Sequence, residues 1–202
     1  MGYMHYSYRS PRMNWLWAIL GINVLMYIIT LILFYYVNPL YIVDYLALRR
    51  DLVWPYLWTI ITSMFTHSPY SFWHIIVNMW MLYFFGSQII RLVGERRFLL
   101  VYFAGGIAGG LLFILLSTAP VIGASGAVFA LGAMLAVMNP KMRVILFPLF
   151  IPIPLWVAIL FGFVITSFIP GVAWQGHLGG AVVGLAFGYY YRRKRPPMLL
   201  FY

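Results

Sequence analysis

Six apolar runs, residues 14–37, 72–93, 97–117, 124–139, 144–167 and 174–191, take up most of this 202-residue sequence. Polar, proline or glycine residues close off each run. About 20 apolar residues suffice to cross the hydrocarbon core of a bilayer. In that solvent a spanning segment has to satisfy its own backbone hydrogen bonds, so each run is expected to be a helix. The expected fold class is all-α: a polytopic membrane bundle of six transmembrane helices forming a single domain, residues 1–202. The fourth run is the shortest and the least span-like by hydropathy alone. The first is longer than the roughly 7–15-residue apolar region of a signal peptide and lacks a small-residue cleavage site, so it is expected to be a retained span.

Composition agrees. Hydrophobic residues make up 64% of the chain and charged residues 8%, against about 25% charged in a typical soluble domain. There is too little charge to cover a globular surface. Aromatic residues make up 20%, and Trp and Tyr favour membrane interfaces. Cysteine is absent, which excludes disulfides, thiolate metal sites and cysteine nucleophiles. The net charge is +10, but the basic residues fall in short clusters between apolar runs rather than on a solvated face, which argues against nucleic acid.

The same clusters orient the chain. Arg9, Arg12, Arg91, Arg96, Arg97, Lys141, Arg143, Arg192, Arg193, Lys194 and Arg195 fall on one side of a six-span arrangement, and only Arg49 and Arg50 on the other. The positive-inside rule then places both termini, residues 1–13 and 192–202, in the cytoplasm. A prokaryotic plasma membrane is the expected location. Residues 38–71 become one long outer loop, too long to be structureless, where helical or amphipathic elements lying in the interface are expected. The tail Pro196–Tyr202 is expected to be a short membrane-surface segment.

The inventory of reactive side chains is short. Asp44, Asp51 and Glu95 are the only carboxylates, and all three fall in loops. A paired-carboxylate mechanism or a carboxylate proton relay within the membrane is thereby excluded, and so is the acidic member of a Ser-His-Asp triad. Of the four histidines, His5 lies in the N-terminal tail, while His67, His74 and His177 fall toward the outer side. A polar group at membrane depth costs several kcal/mol unless it is paired, so His74 and His177 need partners.

Gly123-Ala124-Ser125-Gly126 opens the fourth run. Unpaired N–H groups at a helix start can hold an anion, and flanking glycines let a substrate backbone come close. The helix from Ser125 to Asn139 would be about 22 Å long, which puts Ser125 below the outer surface of a core about 30 Å thick. In the sixth run Gly176, Gly180, Gly184 and Gly188 recur every four residues and offer a flat packing face. Gly126, Ala130 and Ala133 offer another on the fourth. Packing these faces together would bring His177 to Ser125 as its general base. His74 and Asn78, at i and i+4 of the second run, share a helical face and could both donate to an oxyanion. Each residue alone has a plainer reading: Ser125 as a helix N-cap, His177 and Asn78 as interhelical hydrogen-bonding residues, the glycines as packing.

Together, His74-x-x-x-Asn78, Gly123-x-Ser125-Gly126 and His177-x-x-Gly180, on the second, fourth and sixth runs, resemble the rhomboid family of intramembrane serine proteases in its minimal six-span form. The likeness covers residues from about 14 to 192. It implies a serine endopeptidase without metal or cofactor, with Ser125 as nucleophile and His177 as base. His74, Asn78 and the Ser125 backbone N–H would form the oxyanion hole. Gly123, Gly126 and Gly180 would support the site, and Phe129 would stack on His177. By the same resemblance His67 is structural, and the fifth span with the loop Ser167–Trp174 gates entry beside the second. Substrates would be single-span membrane proteins with small residues near the cut and a helix that unwinds easily. The chain departs from the family at Trp54-Pro55, where the family often has Trp-Arg, and at Ile90, four residues after Gly86, where it often has Glu. Two alternatives stand beside the protease: a non-catalytic rhomboid-like protein that binds client transmembrane helices, and a small-solute transporter. The sequence leaves the oligomeric state open.

Overall fold

In the computed structural model, which describes residues 12–146 and 150–194, the first run is helix α1 (Asn14–Ile32), continued by a wider π-helical turn, Leu33–Val37. A short helix α2 (Thr59–Thr62) lies in the following loop. Then come α3 (Phe72–Val93), α4 (Glu95–Leu116) and α5 (Ser125–Met138), close to the second, third and fourth runs. Gly94, at φ 89°, makes the tight joint between α3 and α4.

The fifth run departs from expectation. Among its described residues only the second half is helical, α6 (Leu155–Ser167). Ahead of it, β1 (Arg143–Leu146) and β2 (Ile151–Pro154) form an antiparallel pair in which Val144 faces Ile153 and Ile145 faces Pro152. The all-helical expectation is corrected here. Pro152 and Pro154 lack the N–H that a helix interior requires, and Pro154 instead stands immediately before the first residue of α6. The last element is α7 (Trp174–Lys194). His5, Arg9, Arg195 and the tail Pro196–Tyr202 lie outside the described residues.

By length and composition three helical segments can cross a membrane: Asn14–Val37, Phe72–Val93 and Glu95–Leu116. α5 and α6 are shorter, at 14 and 13 residues. α7 is long enough, but glycines, tyrosines and its terminal cations dilute its apolar character. The distribution of side chains is that of a membrane protein. Trp17, Leu25, Trp80, Leu115, Phe161 and Leu185 are exposed, whereas Asn23, Thr30, Thr59, Thr66, Asn78 and His177 are buried. So large an apolar exterior requires an apolar surrounding, and the chain is an integral membrane protein.

The centre is formed by α4, α5 and α7, which pack against one another. Contact is between backbones. A Cβ on Gly180 would collide with the backbone of Gly126, and one on Gly184 with that of Ala130. A Cβ on Gly179 would lie 2.7 Å from the Ala108 carbonyl of α4. Larger residues then fill the core around this contact: Leu16, Leu82, Ile89, Phe98, Tyr102, Leu131 and Leu135. Ile90, in place of the family's Glu, is buried among them.

Polar contacts define the two ends. At one, the Trp15 N–H donates to Glu95 Oε1 (3.0 Å), the Arg97 guanidinium sits 5.1 Å from the Tyr191 ring centroid, and Arg192 reaches the Val137 carbonyl. Lys141, Arg143 and the α7 cations belong to that end. At the other end Arg50 donates to the Ile114 and Leu115 carbonyls, filling acceptors that the last turn of α4 leaves without intrahelical partners. Arg49 pairs with Asp44 and Asp51.

These arginines help anchor the long loop, which is folded rather than loose. Leu48 and Val121 exchange backbone hydrogen bonds of 3.0 and 2.9 Å. Trp58 Nε1 donates to the Tyr45 carbonyl, and Thr62 to that of Leu46. Trp54, beside the departing Pro55, is exposed, so the loop is held by Arg49, Arg50 and Trp58. At the loop's end His67 is fully buried; its Nδ1 donates to the Phe65 carbonyl (3.2 Å) and its Nε2 has no protein partner. Burial first, and the neighbouring His74 second, push its pKa from 6.5 down to about 3.

Two predictions follow from this packing. Gly184→Ala, driven into the Ala130 backbone, should cost about 1–3 kcal/mol. Gly21→Ala, in open space on α1, should leave the thermal midpoint in detergent unchanged or slightly raised; equal losses would refute the close-packing account. For His67, the unfolded chain takes up a proton between about pH 6.5 and pH 3 that the folded chain does not. Stability should therefore fall on acidification across that window, by at most about 1.4 kcal/mol per pH unit from this group. The stability advantage of wild type over His67→Gln should shrink as pH drops from about 7 to about 4; an advantage constant with pH would contradict the assignment.

Candidate active site

Ser125 is the first residue of α5, and the chain reaches it through Gly123 at φ 126°. Only glycine adopts that conformation without strain. Gly123 is constrained twice more: its N–H donates to the Ser63 carbonyl (2.8 Å), and a Cβ there would stand 2.8 Å from His74 Nε2. The N-cap position falls to Ala124, which makes no side-chain cap. Ser125 is therefore not the cap of its helix, and its hydroxyl is turned elsewhere.

It is turned to His177. Ser125 Oγ lies 2.9 Å from His177 Nε2. His177 sits one turn into α7 and is buried. Its ring stacks on Phe129, one turn beyond Ser125 on α5, with centroids 4.4 Å apart and planes 23° from parallel. The contacts of Gly180 and Gly176 with Gly126 bring the two helix backbones close enough for these side chains to meet.

On the other side of Ser125 stands His74, in the first turn of α3. The Ser68 N–H donates to its Nδ1 (3.2 Å). A neutral imidazole has one donor and one acceptor nitrogen, so Nε2 carries the hydrogen. The position of a Gly123 Cβ, 2.8 Å from that Nε2, is 3.8 Å from Ser125 Oγ. The two groups thus border the same small space, and the N–H of Ser125, in the first turn of α5, has no partner within its own helix. Asn78 lies one turn beyond His74 on α3. Its Nδ2 donates to the His74 carbonyl on its own helix (2.8 Å), and no hydrogen bond joins it to Ser125 among the described residues.

One contact escaped the sequence reading. Thr166, near the end of α6, has its Oγ1 3.3 Å from His177 Nδ1. The only signal for it was a hydroxyl near the end of an apolar helix, a feature that Ser167 shares.

A cavity of about 30 Å³ adjoins Ser125, bordered by Ser63, Met64, Gly106, Ile122 and Gly176. It has room for a water molecule. His67 and His74 face each other, ring centroids 5.1 Å apart, but no third His, Cys, Asp or Glu joins them in a metal-binding group among the described residues. Catalytic zinc sites commonly use three protein ligands.

A serine bonded to a histidine, with N–H donors beside the hydroxyl, can perform acyl transfer. The family model described as Rhomboid domain matches residues 55–194. Rhomboid protein 1, mitochondrial, of Saccharomyces cerevisiae is 28% identical over 207 aligned positions, covering 91% of this chain and 55% of that protein. Presenilin-associated rhomboid-like protein A, mitochondrial, of Danio rerio is 32% identical over 160 positions, 70% of this chain and 40% of its own. Rhomboid protease GluP of Bacillus subtilis is 33% identical over 130 positions, 63% of this chain and 24% of its own. The chain thus spans between about a quarter and just over half the length of these relatives. With the family pattern running from the outer loop to the end of α7, around a glycine-packed helical core, the chain belongs to the rhomboid family.

Proposed function

We propose that this protein is an intramembrane serine endopeptidase that cleaves transmembrane segments of other membrane proteins. The observation that carries the reading is the 2.9 Å contact between Ser125 Oγ and His177 Nε2. In this mechanism His177 takes the hydroxyl proton as Oγ attacks the scissile carbonyl, and returns it to the departing amine. The resulting ester on Ser125 is then hydrolysed by water, again with His177 as base. The negative charge that develops on the carbonyl oxygen falls to the N–H groups of His74 Nε2 and Ser125. Asn78 has a second amide hydrogen for the same task. The chemistry draws on no metal and no cofactor.

In the same reading α1, α3, α4, α5, α7 and the unit of hairpin plus α6 are the six spans of a single membrane domain. Both ends of the chain face the cytoplasm, because nine of the described cations gather at one end of the bundle and Arg49 and Arg50 at the other. The outer faces of α6, with Trp156, Leu160, Phe161 and Ile165 exposed, lie along the route by which a substrate helix enters beside α3. The related proteins named above are mitochondrial in two cases and bacterial in the third. They therefore lend no support to the expectation of a prokaryotic plasma membrane.

Proteoliposomes holding the purified chain and a single-span reporter provide the test. Wild type should cut the reporter, and Ser125→Ala and His177→Ala should not. His74→Ala should slow cutting by about 10²–10³, as for loss of one oxyanion donor. Asn78→Ala should cost less, because one of its amide hydrogens is engaged within its own helix. Cutting by Ser125→Ala at close to the wild-type rate would end this reading.

A further inference from the structure

We propose that Thr166 is a positioning residue for the reaction: its hydroxyl accepts the Nδ1–H of His177 and so holds the imidazole with Nε2 free to take the proton of Ser125. The inference rests on the serine-protease reading given above. It deepens that reading by supplying the third partner that the carboxylate count left missing.

The direction of the hydrogen bonds settles the tautomer. Thr166 Oγ1 has one hydrogen, and two carbonyls compete for it: Gly162 O at 2.8 Å and Phe163 O at 3.2 Å, both on the preceding turn of α6. With that hydrogen engaged, Oγ1 offers only lone pairs toward His177 Nδ1, 3.3 Å away. Nδ1 must then be the donor. A neutral imidazole that donates from Nδ1 accepts at Nε2, and Nε2 is the nitrogen that faces Ser125 Oγ. A continuous chain results, from Ser125 hydroxyl to His177 to Thr166 to the Gly162 carbonyl.

The opposite tautomer would make Ser125 Oγ the acceptor of an Nε2–H, so that His177 could not take its proton, and would leave Nδ1 without a donor in a buried site. No carboxylate can take the role of Thr166, since Asp44 and Asp51 pair with Arg49 in the outer loop and Glu95 accepts from the Trp15 N–H at the opposite end. A neutral hydroxyl stabilises the imidazolium less than a carboxylate does. Removing it should therefore cost less than the roughly 10⁴-fold loss that follows the wrong tautomer in a Ser-His-Asp triad. Phe129 fixes the plane of the ring by stacking, and Thr166 fixes which edge faces Ser125.

The test measures the rate at which a fluorophosphonate labels Ser125 in the purified full chain, beside isotope-edited NMR of the His177 ring nitrogens, assigned by their loss in His177→Ala. Thr166→Val, which keeps shape and drops the hydroxyl, should slow labelling by about 10–100-fold and shift the hydrogen from Nδ1 toward Nε2. Thr166→Ala gives the same comparison should the valine variant fail to fold. Thr166→Ser should label within about threefold of wild type, because the acceptor is restored. Thr30→Val, which removes a buried hydroxyl bonded in the same way to the Met26 carbonyl of α1, should leave the rate unchanged. The proposal is overturned if Thr166→Val labels as fast as wild type, or if Thr30→Val falls as far as Thr166→Val. Absence of labelling in wild type itself would sink the protease reading, while the NMR arm would still decide whether Thr166 sets the tautomer.

Discussion

In lipid, helices gain nothing by hiding apolar side chains from one another, so close contact between backbones has to come from small residues and hydrogen bonds. Here that contact runs along Gly176, Gly180, Gly184 and Gly188 of α7, laid against Gly126, Ala130 and Met134 of α5 and Gly109 of α4. Everything at the site follows from how near these backbones lie. A side chain at Gly180 would push α7 away from the turn that bears Ser125, and the serine and histidine would lose contact. The same closeness leaves polar side chains few choices of partner. His177 meets Ser125 on one edge and Thr166 on the other, while Thr166 also bonds the carbonyls of its own preceding turn.

A second constraint acts at the opposite wall. Gly123 lets the loop before α5 pass close to His74 in a conformation with positive φ. The bond from the Ser63 carbonyl to the Gly123 N–H, together with the Leu48–Val121 bridge, ties that loop to the long outer segment. Arg50 attaches the same segment to the end of α4. The outer loop is thus part of the wall of the site, and His67, buried beside His74, fills the space behind it. In a chain with three carboxylates and no cysteine, the proposed chemistry rests on the orientation of neutral groups.

How much of this could be read from residues alone varied with the physics involved. The helices α1, α3, α4 and α5 follow from the apolar runs, because a lipid solvent makes apolar runs and helices coincide. The pairing of Ser125 with His177 could be expected from two small-residue faces at four-residue spacing. Hydropathy failed at residues 143–154, which are apolar enough for a span but carry Pro152 and Pro154. Apolarity reports depth, whereas proline decides whether a helix can form. Asn78 was legible as a polar residue on the face of His74, but not its hydrogen bond back to the His74 carbonyl, which local geometry chooses. Thr166 was invisible as a partner of His177, since a hydroxyl in a helix bonds its own preceding turn by default. Its remaining lone pairs acquire meaning only when α6 and α7 are placed side by side.

The central claim is that an imidazole activates a hydroxyl which water can reach within a membrane bundle. Because the chain contains no cysteine, Ser125→Cys would introduce a single thiol at that place. Its alkylation by iodoacetamide added from water, in proteoliposomes, is the most direct measurement. The account predicts alkylation at least about tenfold faster in Ser125→Cys than in Ser125→Cys/His177→Ala, with reactivity persisting below the ordinary thiol pKa of about 8.5. Equal rates in the two variants, or a thiol that the aqueous reagent never reaches, would contradict it.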